Sequence, residues 1–320
     1  MSSADLAIII VSYNVRDLLR RCLRSIEDSL AASSLRCCTI VVDNASGDGS
    51  AAMVEAEFPQ VELIASSANL GFASGNNLGL RQVLGPDLRS PDAPRAVLLL
   101  NPDTEIVGDA LAELLSYLDE HPEIAVVGPQ LRYGDGSLQS SRRRFPTIGT
   151  LFWESTLLEL WWPRNPWARR YCYDDQLVAT PQSVDWLVGA ALLVRSSAIA
   201  RAGLLDEAFF MYSEELEWQS RLGAAQSGSI VYLPSATILH HEGKSSEQNL
   251  ARRHINFNRS KLRYAALCWG RSVAWPLRVF LLTTYIIQLS IESGKWLLGH
   301  KRQLRRQRMA QYRTILRSGL

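Results

Sequence analysis

The sequence predicts an α/β fold built on an open, wound, mostly parallel sheet flanked by helices. Three observations carry this. Strand-length apolar runs recur through the first third of the chain, they are continuous rather than alternating, and helical patterns separate them. A continuous run suits a strand covered on both faces, as parallel strands are. A repeated strand-then-helix order then selects the wound class, whose ligands bind beyond the carboxyl ends of the strands.

In chain order, strands are expected at 6–11, 39–42, 61–65, 96–100 and 124–127, with helices at 16–29, 50–57, 75–84 and 109–120. Asp109 stands where it can cap the last of these helices, and Pro122 follows its end. Residues 140–175 differ. They carry Arg142-Arg143-Arg144 and four tryptophans (Trp153, Trp161, Trp162, Trp167), broken by Pro146, Pro163 and Pro166. They are expected to form an excursion over one face, on the acceptor side. Regular structure should resume at 183–194, followed by a helix from Ser196 to Gly203, a second from about Ser213 to Gly223, and a strand at 230–233. The expected division is a domain over 1–260 and a helical extension over 261–320. In that extension 273–291 is largely apolar, with Arg278 and Gln288 as its strongly polar interruptions, and 301–320 holds seven Lys/Arg and no acid.

Apolar residues make up 47% of the 320 and charged residues 21%, so the chain can bury a large core without disulfides. The five cysteines (Cys22, Cys37, Cys38, Cys172, Cys268) are odd in number and lack metal-ligand spacing, which points to reduced thiols in a cytosolic protein. Residues 6–11 are too short for a signal peptide, and no stretch reaches 18 uncharged apolar residues, so a clean spanning helix is not expected. The net charge of +2 is uneven, with the basic tail as its main asymmetry. No aromatic platform accompanies that tail, which argues against nucleic acid. Anionic headgroups at the inner face of the plasma membrane are the expected partner, and the Trp-rich segment suits the same boundary.

The chemistry gathers at the strand ends. Val11-Ser12-Tyr13-Asn14 closes the first strand and Val42-Asp43-Asn44-Ala45-Ser46 the second. A carboxylate there can accept the imide N–H of uracil or thymine, and a tyrosine can stack on the ring; the alternative is a turn and helix cap. Asn69 to Gly79 opens a helix with glycines and amides, suited either to an anion or to a tight turn with packing glycines. Asn101-Pro102-Asp103 follows the 96–100 run and offers one carboxylate to a hard cation such as Mg2+ or Mn2+, which commonly takes one or two protein carboxylates plus diphosphate oxygens. Glu214-Glu215 begin a helix, where the macrodipole alone favours acids, or where one of them can accept a proton. His240-His241 follow the 230–233 run and can serve as ligand, phosphate donor or loop residues.

The ordered set VSYN, VVDNASGDGS, NLGFASGNN, LLLNPDTEI, VGAALLVRSSAIARAGLLDEAFFMYSEELEW and HHEGKSS resembles the inverting family 2 glycosyltransferases of the GT-A fold, and most closely their bacterial rhamnosyltransferase-like branch. The resemblance runs from Leu6 to Ser246. It implies that Ser12, Tyr13 and Asp43 contact base and ribose, with Asn14, Asn69, Gly71, Asn76 and Asn101 shaping the nucleotide-sugar pocket. Asp103 matches the last Asp of the metal-binding motif, and His240 a histidine near metal and diphosphate. Glu215 matches the catalytic base, with Glu214 as its alternative. Trp218 and Arg221 would line the acceptor side. The implied reaction is a single displacement from a UDP- or dTDP-sugar, plausibly dTDP-L-rhamnose, to a glycan or polyprenyl-linked acceptor. Two other functions compete: a non-catalytic nucleotide-sugar scaffold, and a sugar nucleotidyltransferase. The second would need a basic glycine-rich loop after Val11, where Tyr13 and Asn14 stand instead.

Overall fold

The structure is a computed structural model describing residues 4–154, 156–163, 165–173, 177–226, 229–241 and 250–320. In chain order the elements are β1 (Leu6–Ser12), α1 (Arg16–Ala31), β2 (Cys37–Asp43), α2 (Ser50–Glu57), β3 (Glu62–Ala65), α3 (Gly71–Leu84), β4 (Ala96–Leu100), β5 (Thr104–Ile106), α4 (Ala110–Glu120), β6 (Val126–Arg132) and β7 (Arg142–Arg143). Then come α5 (Ile148–Trp153), α6 (Leu157–Trp161), α7 (Pro166–Tyr171), β8 (Gln182–Val184), β9 (Trp186–Leu187), β10 (Ala191–Arg195), α8 (Ser196–Ala202), α9 (Glu214–Gln226), β11 (Ile230–His240), α10 (Leu250–Trp269), α11 (Arg271–Leu297) and α12 (Arg302–Ser318).

Two compact units result. The first comprises Met1–Phe145, Cys172–Phe210 and Glu214–Ser245; the second comprises Pro146–Tyr171, Met211–Ser213 and Ser246–Leu320. Two boundaries therefore differ from the sequence expectation. Residue 260 lies inside the continuous helix α10, so no division falls there. The Trp-rich excursion groups with the C-terminal helices rather than with the sheet, because Leu151 joins Ala265, Leu277 and Leu281 in one apolar cluster.

The first unit is the expected wound sheet, of mixed direction. Its strand order is β3-β2-β1-β4-β10-β6-β11-β5, with β8 on β11. β1, β2, β3 and β4 run parallel, while β10 inserts antiparallel between β4 and β6. All seven residues of β1 are buried, which explains its unbroken apolar run. Ile8 and Ile10 pack among Leu19, Leu23, Leu114 and Leu118 on one face, whereas Ala7 and Ile9 pack among Leu80, Trp218 and Leu222 on the other. The chain winds outward from β1 to β2 and β3, then returns to place β4 on β1's other side. The carboxyl ends of β1 and β4 thus form a topological switch point, where wound sheets bind ligands.

Glycines bring α3 against this centre. A Cβ on Gly79 would lie 2.6 Å from the Ile9 side chain, and one on Gly75 2.8 Å from that of Val11. β11 is longer than expected because it changes register between Leu233 and Thr237, pairing in its first half with the start of β6 and in its second with β6's end and β5. Asp109 occupies the N-cap position of α4, but its side chain makes no capping bond there.

The second unit holds α10, α11 and α12 with the excursion. Lys261 is buried, donates to the Glu154 carbonyl at 2.7 Å and pairs with the Glu154 carboxylate at 3.2 Å. The helix α11, at 27 residues, is long and apolar enough by length and composition to cross a membrane, although Arg278 breaks its uncharged run as the sequence shows. Its acid, Glu292, turns inward and pairs with Arg305 at 2.8 Å and Arg308 at 3.4 Å.

Candidate active site

The site collects at the carboxyl ends of β1, β2 and β4. Ser12 and Asp43 face each other across the β1–β2 register and both are buried. Asp43 Oδ2 accepts the Ser46 amide at 3.0 Å, the turn geometry the sequence allowed. Its Oδ1, together with Ser12 Oγ and Asn44 Oδ1, is buried without a hydrogen-bond partner. Buried polar atoms are nearly always paired, so three orphans at a switch point mark a surface shaped for a ligand's donors. Tyr13 is exposed beside them. Asn14, at φ +54, holds the next turn: its Oδ1 accepts the Gly47 amide and its amide donates to Ser46 Oγ.

The Asn101-Pro102-Asp103 loop is fixed from several sides. The Asn101 amide donates to the Ala190 carbonyl at 2.9 Å, and Thr104 Oγ1 donates to the Asn101 carbonyl at 2.7 Å. The Cys22 thiol sits beneath it, 3.6 Å from Thr104 Oγ1, and burial pushes that thiol up to about 12. All five cysteines are free.

β11 delivers His240 opposite Thr104 in antiparallel register, and the His241 amide donates to the Asp103 carbonyl. His240 Nε2 lies 3.3 Å from Asp103 Oδ1 and 3.4 Å from Asn101 Nδ2. Its Nδ1 lies 3.0 Å from Gln139 Oε1, which orients the ring so that Nε2 faces Asp103 and Asn101. Two cis ligands with bonds of about 2.1 Å stand about as far apart as Nε2 and Asp103 Oδ1, so the donor chemistry fits a small divalent cation between them. Among the described residues no group of three or more His, Cys, Asp and Glu could hold a metal, so Asp103 and His240 would leave the remaining positions to other oxygens.

Glu214 and Glu215 open α9. Tyr212 and Ser213, just before it, both adopt left-handed φ values, +73° and +63°, a strained pair of the kind held at functional sites. Glu214 is buried, and Glu215 is half-buried with its side chain against Gly189, where an added Cβ would lie 3.2 Å from Glu215 Cγ. Gln219, one turn on, pins the helix by accepting the Leu187 amide and donating to the Leu187 carbonyl. Gly189 adjoins Ala190, whose carbonyl holds Asn101, so the base candidate and the aspartate loop share one short stretch of backbone.

Five expected residues have structural roles within the fold. Trp218 is fully buried in the core and donates to the Gly203 carbonyl at 2.8 Å, so it does not line an acceptor surface. Arg221 is held by Glu217 at 2.6 Å and by the Ala202 and Leu204 carbonyls. Gly71, at φ +83°, lets the chain pass Phe210, while Asn76 is buried and donates to the Phe72 carbonyl. Asn69 accepts the Gly71 amide and shapes that turn. Of the final HHEGKSS motif, Glu242, Gly243, Lys244, Ser245 and Ser246 lie outside the described residues. Gln139, Gly189 and Gln219 were not singled out from the sequence, since each acts only through a partner distant in the chain.

Comparison with known proteins identifies the family and the fold. The profile of "Glycosyl transferase family 2" matches residues 7–193. An N-acetylglucosaminyl-diphospho-decaprenol L-rhamnosyltransferase of Mycobacterium tuberculosis is 31% identical over 281 residues, covering 85% of this chain and 89% of the relative. The rhamnosyltransferase WbbL of Escherichia coli is 28% identical over 200 residues, covering 61% and 70%. The fold is shared with the mannosyltransferase PcManGT from Pyrobaculum calidifontis, solved with GDP-Man and Mn2+, at a TM-score of 0.55 and 14% identity over 98% of this chain and 85% of that one. It is shared too with GalNAc-T7, solved with UDP, GalNAc and Mn2+, at 0.57 and 12% identity over 97% and 54%. On the family match, the rhamnosyltransferase relatives and the GT-A-like sheet, this chain belongs to glycosyl transferase family 2.

Proposed function

We propose that this glycosyltransferase moves L-rhamnose, with inversion, from a dTDP- or UDP-activated donor to a hydroxyl of a polyprenyl-diphosphate-linked sugar at the inner face of the plasma membrane. The observation that carries the reading is the set of unpartnered buried atoms at the switch point, Ser12 Oγ and Asp43 Oδ1 above all, beside the Asp103–His240 pair. The Mycobacterium relative's activity on a decaprenyl-diphosphate sugar supplies the sugar and the acceptor class.

In this reading Asp43 accepts the imide N–H of the pyrimidine and Tyr13 stacks on its face. Asp103 and His240 would hold Mg2+ or Mn2+, which when bound neutralises charge on a departing diphosphate. Gln139 keeps His240 in the orientation that presents Nε2. Glu215 accepts the proton of the acceptor hydroxyl as that oxygen attacks the anomeric carbon from the face opposite the diphosphate. One base in line suffices for inversion, and no second carboxylate is needed as a covalent nucleophile. The Gly189 backbone limits where the Glu215 carboxylate can swing. The test is a panel of UDP-, dTDP- and GDP-sugars scored for divalent-dependent binding and slow hydrolysis. A strict preference for GDP-sugars would defeat the pyrimidine assignment.

A further inference from the structure

We infer that α11 lies in the plane of an anionic bilayer surface, with its outward apolar stripe sunk among the headgroups, and does not span the membrane. The inference deepens the proposed use of a lipid-linked acceptor.

α11 is largely apolar on both faces, unlike a soluble surface helix, which turns a polar face to water. Leu277, Leu281, Thr284, Tyr285 and Glu292 face inward, and its acid is neutralised there by Arg305 and Arg308. The outward face carries Trp275, Val279, Ile286, Ile287, Ile291 and Leu297; Trp275 is 67% and Ile286 53% exposed. At 3.6 residues per turn these six fall within roughly 160° of arc, and no charged residue shares that arc. The hydroxyls on it are satisfied within the helix: Thr283 donates to the Val279 carbonyl at 2.8 Å and Ser290 to the Ile286 carbonyl at 3.0 Å. Such a surface asks nothing of water. An uncharged stripe of this size is a docking surface rather than ordinary solvent-facing helix.

From Trp275 to Leu297 the stripe is about 33 Å long, close to the hydrocarbon thickness, so length alone allows spanning. The neighbour decides the matter. Arg305 meets Glu292, and Arg278 donates to the Gly319 carbonyl, so α12 runs antiparallel alongside α11 over most of its length. A spanning α11 would carry α12 into hydrocarbon with Arg306, Arg308, Arg313 and Arg317 exposed, and arginines there are costly. With α11 lying flat, the same arginines are placed within reach of phosphates. This is the composition of an interfacial helix: an apolar face with a cationic flank. Charge complementarity therefore selects anionic lipid as the occupant. In the same unit the excursion adds exposed Leu160, Trp161 and Trp162.

The test is flotation of the full chain on phosphatidylcholine vesicles with and without phosphatidylglycerol. The chain should float with the anionic vesicles and be released by alkaline carbonate. Ile286→Glu with Ile291→Glu should lower the bound fraction roughly tenfold or more. Both positions are exposed, so the melting temperature should hold. Arg306→Glu with Arg313→Glu should weaken binding to anionic vesicles only. Donor hydrolysis without vesicles should be unchanged in both variants, which separates this inference from the assignment of the active site. Resistance to carbonate would establish spanning and overturn it. So would undiminished flotation of the isoleucine variant, or a stable dimer in solution that the same two substitutions dissociate.

Discussion

His240 and Asp103 meet at 3.3 Å because β11 and β5 pair antiparallel, setting His240 opposite Thr104. Gln139 fixes the ring from behind. Removal of either proposed ligand, as Asp103→Ala or His240→Ala, should abolish Mn2+-dependent binding of the nucleoside diphosphate in calorimetry. Gln139→Leu leaves both ligands in place and should weaken that binding about 10- to 100-fold, the usual cost of losing a group that orients a metal-binding histidine.

Glu215→Gln should lower kcat by about 100- to 10,000-fold while donor affinity is retained, because only the proposed proton acceptor is lost. Glu214→Gln should cost less than about tenfold if Glu215 is the base. Gly189→Ala places a methyl 3.2 Å from Glu215 Cγ and should depress kcat without changing donor affinity. Single-turnover rates beside donor titrations check all three.

Asp43 has opposite effects on folding and binding. Asp43→Asn keeps an acceptor for the Ser46 amide but removes a buried charge whose second oxygen has no partner. The free protein should melt at the same temperature or higher, whereas donor affinity should fall about tenfold or more, since hydrogen bonds to charged groups contribute about 1.5–3 kcal/mol. Thermal shift with and without nucleotide measures both.

Gly71→Ala should destabilise the first unit by about 3 kcal/mol or more, combining a left-handed φ with overpacking. The added Cβ would fall 2.3 Å from the Phe210 carbonyl oxygen, a backbone atom. Gly108→Ala is the control, with a left-handed φ of +57° but open space, and should cost about 1 kcal/mol. Denaturant unfolding separates the two.

The acid limb of stability should involve Asp5. Its hydrogen bonds to Arg36, aided by Arg95, hold its carboxyl down at about 2. A depressed carboxyl stabilises the fold above its unfolded value, near 3.9, and that contribution is lost as pH falls toward 2. Asp5→Asn should therefore reduce stability at pH 7 by less than about 1 kcal/mol, this being a largely solvated pair, and should flatten the acid limb between those values. Urea midpoints across the range give the answer.

Much of this was legible in the sequence. The strands at 6–11 and 96–100 announce themselves because both sheet faces are covered, which leaves no polar position in them. Asp43, Asp103 and Glu215 could be singled out because acids at the ends of apolar runs are conspicuous. Local pattern failed where a residue's role depends on a distant partner. Trp218 shares a helix with Glu215 yet points into the core, and Arg221 spends its guanidinium on carbonyls of the preceding loop. The full length of β11 was hidden because Pro234 and Ser235 interrupt its apolar run at the register change. The grouping of the Trp-rich excursion with the C-terminal helices depends on contacts across more than a hundred residues, which no window along the chain contains.

That register change makes His240 sensitive to parity. Successive strand residues point to opposite faces, so insertion of a single residue between Leu233 and Thr237 would present Leu239 where His240 now stands, whereas a deletion would bring His241 there. A one-residue insertion at this point of the chain should therefore silence the enzyme, whereas a one-residue loss, which exchanges one histidine for another, should harm it less.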